Sequence, residues 1–201
     1  MRQLIIIMLI CFTSCHSDFV MKDKVLIYTV RSNQSEITDT LRIMFYSEIF
    51  VDKLRSEFLT QKDNQNTILK REELYLGNDS KIKIFIPAGD YLNFIEHLPY
   101  PEINLPPRLN DTVFSNHKIP SGFDGENTLI KGYQTVTDHI YYSKHFVEDS
   151  VWVVQLYNQT DPKYKGKYYF SKDYGFVYFQ YVLNNFTVEI ELVGMNKYNY
   201  D

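Results

Sequence analysis

Cysteine, glycine and long apolar runs are scarce in this chain, and each scarcity removes a class of function. Its two cysteines, Cys11 and Cys15, both fall within the first fifteen of 201 residues, so nothing downstream supplies a thiol nucleophile, a disulfide or a thiolate ligand for structural zinc. Eight glycines in all leave no glycine-rich loop to cradle a phosphate, and no G-x-S-x-G nucleophile elbow occurs. The 21 Lys+Arg and 25 Asp+Glu, net −4, form no basic stripe, which argues against nucleic acid as a partner. No apolar stretch is long enough to remain in a bilayer as a helix: the longest, Leu4 to Phe12, rises about 13 Å at 1.5 Å per residue, less than half of a ~30 Å hydrocarbon core.

What remains is a folded, aromatic chain: 44% hydrophobic, 16% aromatic and 23% charged, a length and composition that predict one globular domain. Its N-terminus carries an address. Arg2, the apolar run and the small polar pair Thr13-Ser14 make a secretory signal over residues 1–14. Phe12-Thr13-Ser14-Cys15 resembles the lipobox of bacterial lipoproteins, although that pattern prefers Leu where Phe12 stands. The resemblance implies that Cys15 receives a diacylglyceryl thioether, becomes the mature N-terminus and gains a further acyl chain such as palmitate. Two or more chains are what stable anchoring needs, since each buried methylene contributes about 0.8 kcal/mol. The alternative is an ordinary cleaved signal with Cys15 merely near the cut. On the lipobox reading the protein is exported and held on a membrane, with the outer membrane expected, and its partner is that membrane through the lipid on Cys15.

Residues 15–24 then form a tether, and residues 25–201 form a single mainly β domain, an antiparallel sheet or open half-barrel with at most one or two short helices. Val25 to Val30 is β-branched and aromatic, and Thr40 to Tyr46 alternates as a half-buried strand requires. Residues 47–62 fit either period, with a lean to strand followed by loop. Leu74 to Leu76 and Lys81 to Ile86, separated by Gly77-Asn78-Asp79-Ser80, predict a hairpin with Ile82, Ile84 and Ile86 on one face. Asp90 to Leu98 predicts one or two helical turns capped by Asp90. Five of the seven prolines, Pro99, Pro101, Pro106, Pro107 and Pro120, predict a long extended loop over 99–122, either a binding arm or a plain crossover.

Beyond residue 128 the chain reads as a meander: Thr128–Thr137, His139–Phe146, Val151–Tyr157, Lys167–Phe170, Phe176–Leu183 and Phe186–Val193, punctuated by Gly132, Asp161-Pro162, Asp173-Tyr174-Gly175 and Asn184-Asn185. Val151-Trp152-Val153-Val154 and the run Lys167 to Val177, with its KYYFSKDYG core, resemble the C-terminal hairpin of small uncharacterised lipoproteins of Bacteroidota. That likeness implies lineage and fold and no catalytic role. A fainter resemblance is to the half-barrel of periplasmic lipoprotein carriers, whose sheet wraps an acyl chain.

Chemistry is harder to find. The five histidines are His16, His97, His117, His139 and His145. The nearest pair, six apart, lies about 20 Å apart along a strand and on different sides of a helix, so no shared metal is expected. Asp124-Gly125-Glu126-Asn127 lacks the spaced acids of a calcium loop and reads as a turn. Ser115-Asn116-His117-Lys118 fits S-x-x-K without its companion elements. Asp39-Thr40-Leu41, Asp111-Thr112-Val113 and Asp149-Ser150-Val151 resemble acceptor tripeptides for O-glycosylation of exported Bacteroidota proteins. Tyr141-Tyr142, Trp152, Tyr168, Tyr169, Tyr178 and Tyr181 are the candidate ligand platform, because amphipathic rings give contact area at low entropy cost; the plain alternative is sheet core and cross-strand ladders. The expectation is a non-enzymatic lipoprotein without cofactor or metal, binding a small molecule, a glycan or another envelope protein. Two alternatives stay open: an exported hydrolase whose carboxylates, such as Asp138 and Asp173, converge on folding, and a structural bridge between envelope components.

Overall fold

The computed structural model describes residues 24–33, 35–48, 51–62, 65–75, 81–84, 86, 90–121 and 126–197. The signal segment, Cys15, His16 and the turns at 77–80 and 124–125 lie outside the described residues. Strand content is set by alternation: in β1, Lys24–Ser32, Leu26, Tyr28 and Val30 are buried, while Thr29 and Arg31 take the other side. β2 (Ser35–Glu48), β3 (Val51–Lys62) and β4 (Gln65–Tyr75) follow as an antiparallel meander. β3 therefore runs as one strand through the stretch expected to become loop, zipped onto β2 from Glu48↔Val51 onward.

Two short strands come next, β5 (Lys81–Lys83) and β6 (Glu102–Asn104), with a 3-10 helix at Asp90–His97 between them. The last six strands are β7 (Thr112–Ser121), β8 (Glu126–Lys144), β9 (Val147–Asn158), β10 (Tyr164–Ser171), β11 (Gly175–Leu183) and β12 (Phe186–Lys197). The main sheet has ten strands in the order β4-β3-β2-β1-β12-β11-β10-β9-β8-β7, while β5 and β6 form a separate pair. The fold is thus mainly β, one open antiparallel sheet in a single domain.

Three expectations need correction. The hairpin expected between 74–76 and 81–86 does not form: β4 pairs with β3 and β5 with β6. Edge strand β4 has a polar sequence, and its backbone pairing rather than any apolar alternation makes it a strand. The proline-rich segment is not a structureless loop, because Glu102–Asn104 and Thr112–Ser121 are both strands. Its prolines sit where no donor is required: Pro106 and Pro107 between the strands, and Pro120 in the next-to-last residue of an edge strand. Gly132 does not break β8 either, and it has a packing role.

That role lies on the face of the sheet covered by residues 81–104. Ile82, Ile84, Ile86, Phe94, Ile95, Leu98 and Ile103 join one core with Leu26, Tyr28, Val30, Leu41, Ile43, Phe176, Phe179 and Tyr181, each burial contributing about 1.5–3 kcal/mol relative to exposure. The covering lobe sits close. A Cβ on Gly132 would stand 2.6 Å from Pro99 Cγ and 2.8 Å from the Tyr157 carbonyl oxygen, and one on Gly166 would stand 2.9 Å from Leu156 Cδ1 and 3.2 Å from Leu98 Cδ1. Polar residues on the same face fasten the lobe's backbone. Tyr168 OH donates to the Glu102 carbonyl at 2.6 Å, Gln134 accepts from the Glu102 N–H at 3.1 Å and donates to the Tyr100 carbonyl at 3.2 Å, and Asn158 donates to the His97 carbonyl at 2.7 Å.

Gly132→Ala is expected to lower the urea midpoint of unfolding by more than Gly166→Ala does. The first methyl meets a proline ring and a carbonyl that cannot yield, at a cost of about 1–3 kcal/mol; the second meets side-chain atoms alone and no closer than 2.9 Å, the methyl ends of Leu156 and Leu98 and the edge of the Tyr181 ring. Equal midpoints for the two variants would overturn this account of the lobe.

Candidate functional site

Alternation along β10 divides the expected tyrosine platform between the two faces of the sheet. Tyr168 and Tyr181 lie on the covered face, fully buried. The Tyr168 phenol is held by Glu102 and Gln134, and Tyr181 packs parallel to Phe179 at 6.4 Å. Burial pushes both phenols well above the ordinary tyrosine value. These two are core residues and no ligand can reach them without displacing the 81–104 lobe. Trp152, in register with Phe170 on one side and His139 on the other, is partly buried and stacks on the His139 ring at 4.2 Å.

Tyr169 and Tyr178 face the other way, onto what is here the open face, with ring centroids 4.9 Å apart. Lys167 Nζ lies 5.6 Å from the Tyr169 ring centre and 5.9 Å from that of Tyr178. Tyr178 OH donates to Glu189 at 2.7 Å, and Gln180 donates to the same carboxylate oxygen at 3.1 Å. Burial, then that bond and the Glu189 charge, raise the Tyr178 phenol far above its usual range.

The end of the β8–β9 hairpin folds over this cluster. In the sheet β8 is four strands from β12, yet Lys144 Nζ bonds Glu191 of β12 and His145 Nε2 lies 3.5 Å from it. Tyr142 meets Tyr169 edge-on at 5.6 Å. The bend follows a register shift between Val136 and Asp138, where an extra residue re-aims a strand that is otherwise 19 residues long. His145 turns the chain with φ 55°. Beneath the hairpin Glu191 is 2% exposed, with Arg31 at 3.9 Å as a second cationic neighbour after Lys144. Burial alone would raise this carboxyl, but the Lys144 bond and charge, followed by His145 and Arg31, outweigh it and hold Glu191 below the ordinary glutamate value. Burial, then the charge of Glu191, pushes the Tyr142 phenol up to about 12.

The two candidate carboxylates lie in different elements, each with a local contact. Asp138 accepts the N–H of its neighbour His139 at 2.7 Å, and Asp173 lies in the β10–β11 turn, its N–H bonded to Ser171 Oγ at 3.0 Å. Among the described residues no three His, Cys, Asp or Glu side chains are placed to hold a metal, and no helix is long and apolar enough to cross a membrane. His117, expected as a loop residue, stands in β7 and bonds the Glu96 carbonyl through Nε2 at 2.5 Å, with Tyr100 4.8 Å from its ring.

Further across the open face lies a second group that sequence reasoning passed over. Phe114, Tyr133 and Tyr157 form a row over β7, β8 and β9, with centroid spacings of 6.0 and 4.8 Å. Phe114 is 71% exposed, and Leu129 nearby is 45% exposed. Just before β7 in the chain is an open hollow of about 370 Å³ lined by Asn104, Leu105, Pro106, Arg108, Leu109 and Asp111 among others. Alternation gave the signal for the row, since Phe114, Asn116 and Lys118 share a parity opposite to buried Ile119.

Because Glu191 is depressed in the folded state, its ion pairs stabilise the fold above the unfolded glutamate value, and that contribution fades as pH falls through the folded one. Glu191→Gln is therefore expected to cost stability at pH 7 and little at pH 3. Thermal melts of both chains across this range check the sign, and a gap that widens toward acid would refute it.

No known family matches the chain, and no curated protein sequence matches it either. Solved structures do resemble it. A protein assigned as exported, with a YmcC-like fold, from Bacteroides fragilis superimposes with a TM-score of 0.50 over 88% of this chain and 96% of that one, at 8% identity. A lipoprotein candidate from Parabacteroides distasonis gives 0.46 over 89% and 98%, also at 8% identity. A β-barrel-like protein from Brucella abortus gives 0.45 over 88% and 98%, at 12% identity. What this chain shares with the Bacteroides fragilis protein is its fold.

Proposed function

We propose that this chain is an envelope lipoprotein, anchored to a bacterial membrane by acyl chains on Cys15, whose β domain binds a partner without catalysing a reaction. The observation that carries the anchoring half is the apolar run ending in Phe12-Thr13-Ser14-Cys15, with strand β1 starting nine residues later at Lys24. Nine extended residues span at most about 30 Å, so the sheet stands close to the surface that holds the lipid. The outer membrane is the membrane proposed.

The binding half rests on the open face. Phe114 and Leu129 are exposed there beside Lys118 and Lys131, an uncovered apolar group rimmed by charge, and exposed apolar patches of that kind mark recognition sites. The covered face gives no support to an acyl-carrier role, because the 81–104 lobe already occupies it.

Expression of the wild type and Cys15→Ser in a Gram-negative host, followed by density-gradient separation of membranes and intact-mass measurement, tests the anchor. The wild type is expected in the outer-membrane fraction with the mass of a triacylated cysteine, and the variant is expected to be released or unprocessed. Both proteins soluble, with identical N-termini and no lipid mass, would end the lipoprotein reading.

A further inference from the structure

We propose that the free edge of β7 takes up an extended acidic segment of a partner protein as an added strand, independently of how the chain is anchored. β7 is the last strand of the sheet and pairs with β8 alone, in unbroken register from Thr112↔Thr135 to Ser121↔Glu126. In an antiparallel strand every second residue directs its N–H and C=O away from the partner. Among the described residues no backbone bond closes that outer edge. Sheet edges are commonly blunted by bulges, prolines or dense charge. The opposite edge follows that practice, with a register shift between Phe58 and Leu59 in its pairing and Lys70-Arg71-Glu72-Glu73 in its sequence. From Thr112 to Ile119, β7 has no proline and no bulge, and one lysine.

The side chains beside this edge specify the occupant. On the open face β7 shows Phe114, Asn116 and Lys118, all exposed. Behind them Leu129, Lys131, Tyr133 and Thr135 of β8, Gln155 and Tyr157 of β9, and Lys165 and Lys167 of β10 occupy the same face by register. None of these described positions is acidic, in a chain whose net charge is −4. Lys118, Lys131 and Lys165 enter no ion pair among the described residues. The Tyr133 and Tyr157 rings stack on one another, 20° from parallel, which turns their positive edges outward. This surface complements negative charge, and its most exposed apolar side chain is Phe114, on the edge strand itself.

Phe114 and Lys118 are four residues apart, about 13 Å along the strand. The matching segment is therefore an extended peptide with an apolar or aromatic side chain and a carboxylate four residues apart. Main-chain bonds to the β7 edge would supply affinity, and these two side chains would set register.

The probe is a fluorescein-labelled ten-residue peptide, blocked at both ends, that carries Phe and Glu four residues apart in a threonine background, titrated into the full chain in detergent and read by anisotropy. Binding is expected to weaken about tenfold or more when the peptide Glu becomes Lys or when the protein carries Lys118→Glu, and to recover when the two reversals are combined. Methylation of alternate peptide nitrogens is expected to abolish it. Lys118→Glu lies at an exposed position, so an unchanged melting midpoint separates lost binding from lost folding. Undiminished binding of the N-methylated peptide, or no rescue by the double reversal, overturns strand addition. So does competition by an acidic oligogalacturonate but not by unlabelled peptide, which would make the ligand a glycan. Dimers of the full chain that dissociate with Phe114→Ser and never yield to peptide would make the occupant a second copy.

Discussion

Leu98 and Pro99 rest against two strand positions that have no side chain, Gly166 and Gly132, and through that contact residues 81–104 reach the sheet. An antiparallel sheet with ten strands cannot stand in water with an apolar face bare, and among the described residues this chain has no large second sheet and no long helix with which to cover it. The cover is instead two three-residue strands and a 3-10 helix, elements too short to persist by themselves. They are ordered by what they touch. Apolar contact with the sheet supplies the driving force, and Tyr168, Gln134 and Asn158 answer the backbone groups that such irregular structure would otherwise bury unpaired.

The other face solves a different problem. The β8–β9 hairpin arches across it and brings Lys144 and His145 onto Glu191, so a carboxylate that is almost sealed from water finds a cation and a ring nitrogen on a distant segment. Burying charge is costly unless it is paired, and here the pairing ties the hairpin's position to Glu191. The outcome is a face with two regions. Tyr142, Tyr169 and Tyr178 are roofed and engaged with one another, whereas Phe114, Leu129 and the lysines near β7 are uncovered.

Much of this was legible in the sequence, because period-two alternation is a local property. Alternation showed the central part of β2 and the shared face of Ile82, Ile84 and Ile86, β-branched and aromatic content showed β1, and turn residues showed the C-terminal meander, although the strands expected at 128–137 and 139–146 are one strand, β8. What alternation could not show is pairing. β4 is polar because an edge needs no apolar face, and the turn residues before Lys81 suggested a neighbour that strand order denies. Adjacent Tyr168 and Tyr169 must point to opposite faces, so their division was implicit in the strand assignment. Grouping them as a platform treated residue type as though it carried direction. Gln134 between Gly132 and Val136, on the inward parity of β8, was the overlooked sign that something polar had to be bound on the covered face. The candidate lipidation site at Cys15 lies outside the described residues, so its support comes from sequence.

One feature of the sheet bears on how the molecule comes into being. Strands β1 to β4 are joined to β7 to β12 through the pairing of β1 with β12, from Lys24↔Lys197 to Ser32↔Val188. This seam closes a loop of more than 150 residues, and such long-range closure is the slow kind of folding step. A chain emerging N-terminus first would hold β1 with one edge unsatisfied until its last strand arrived.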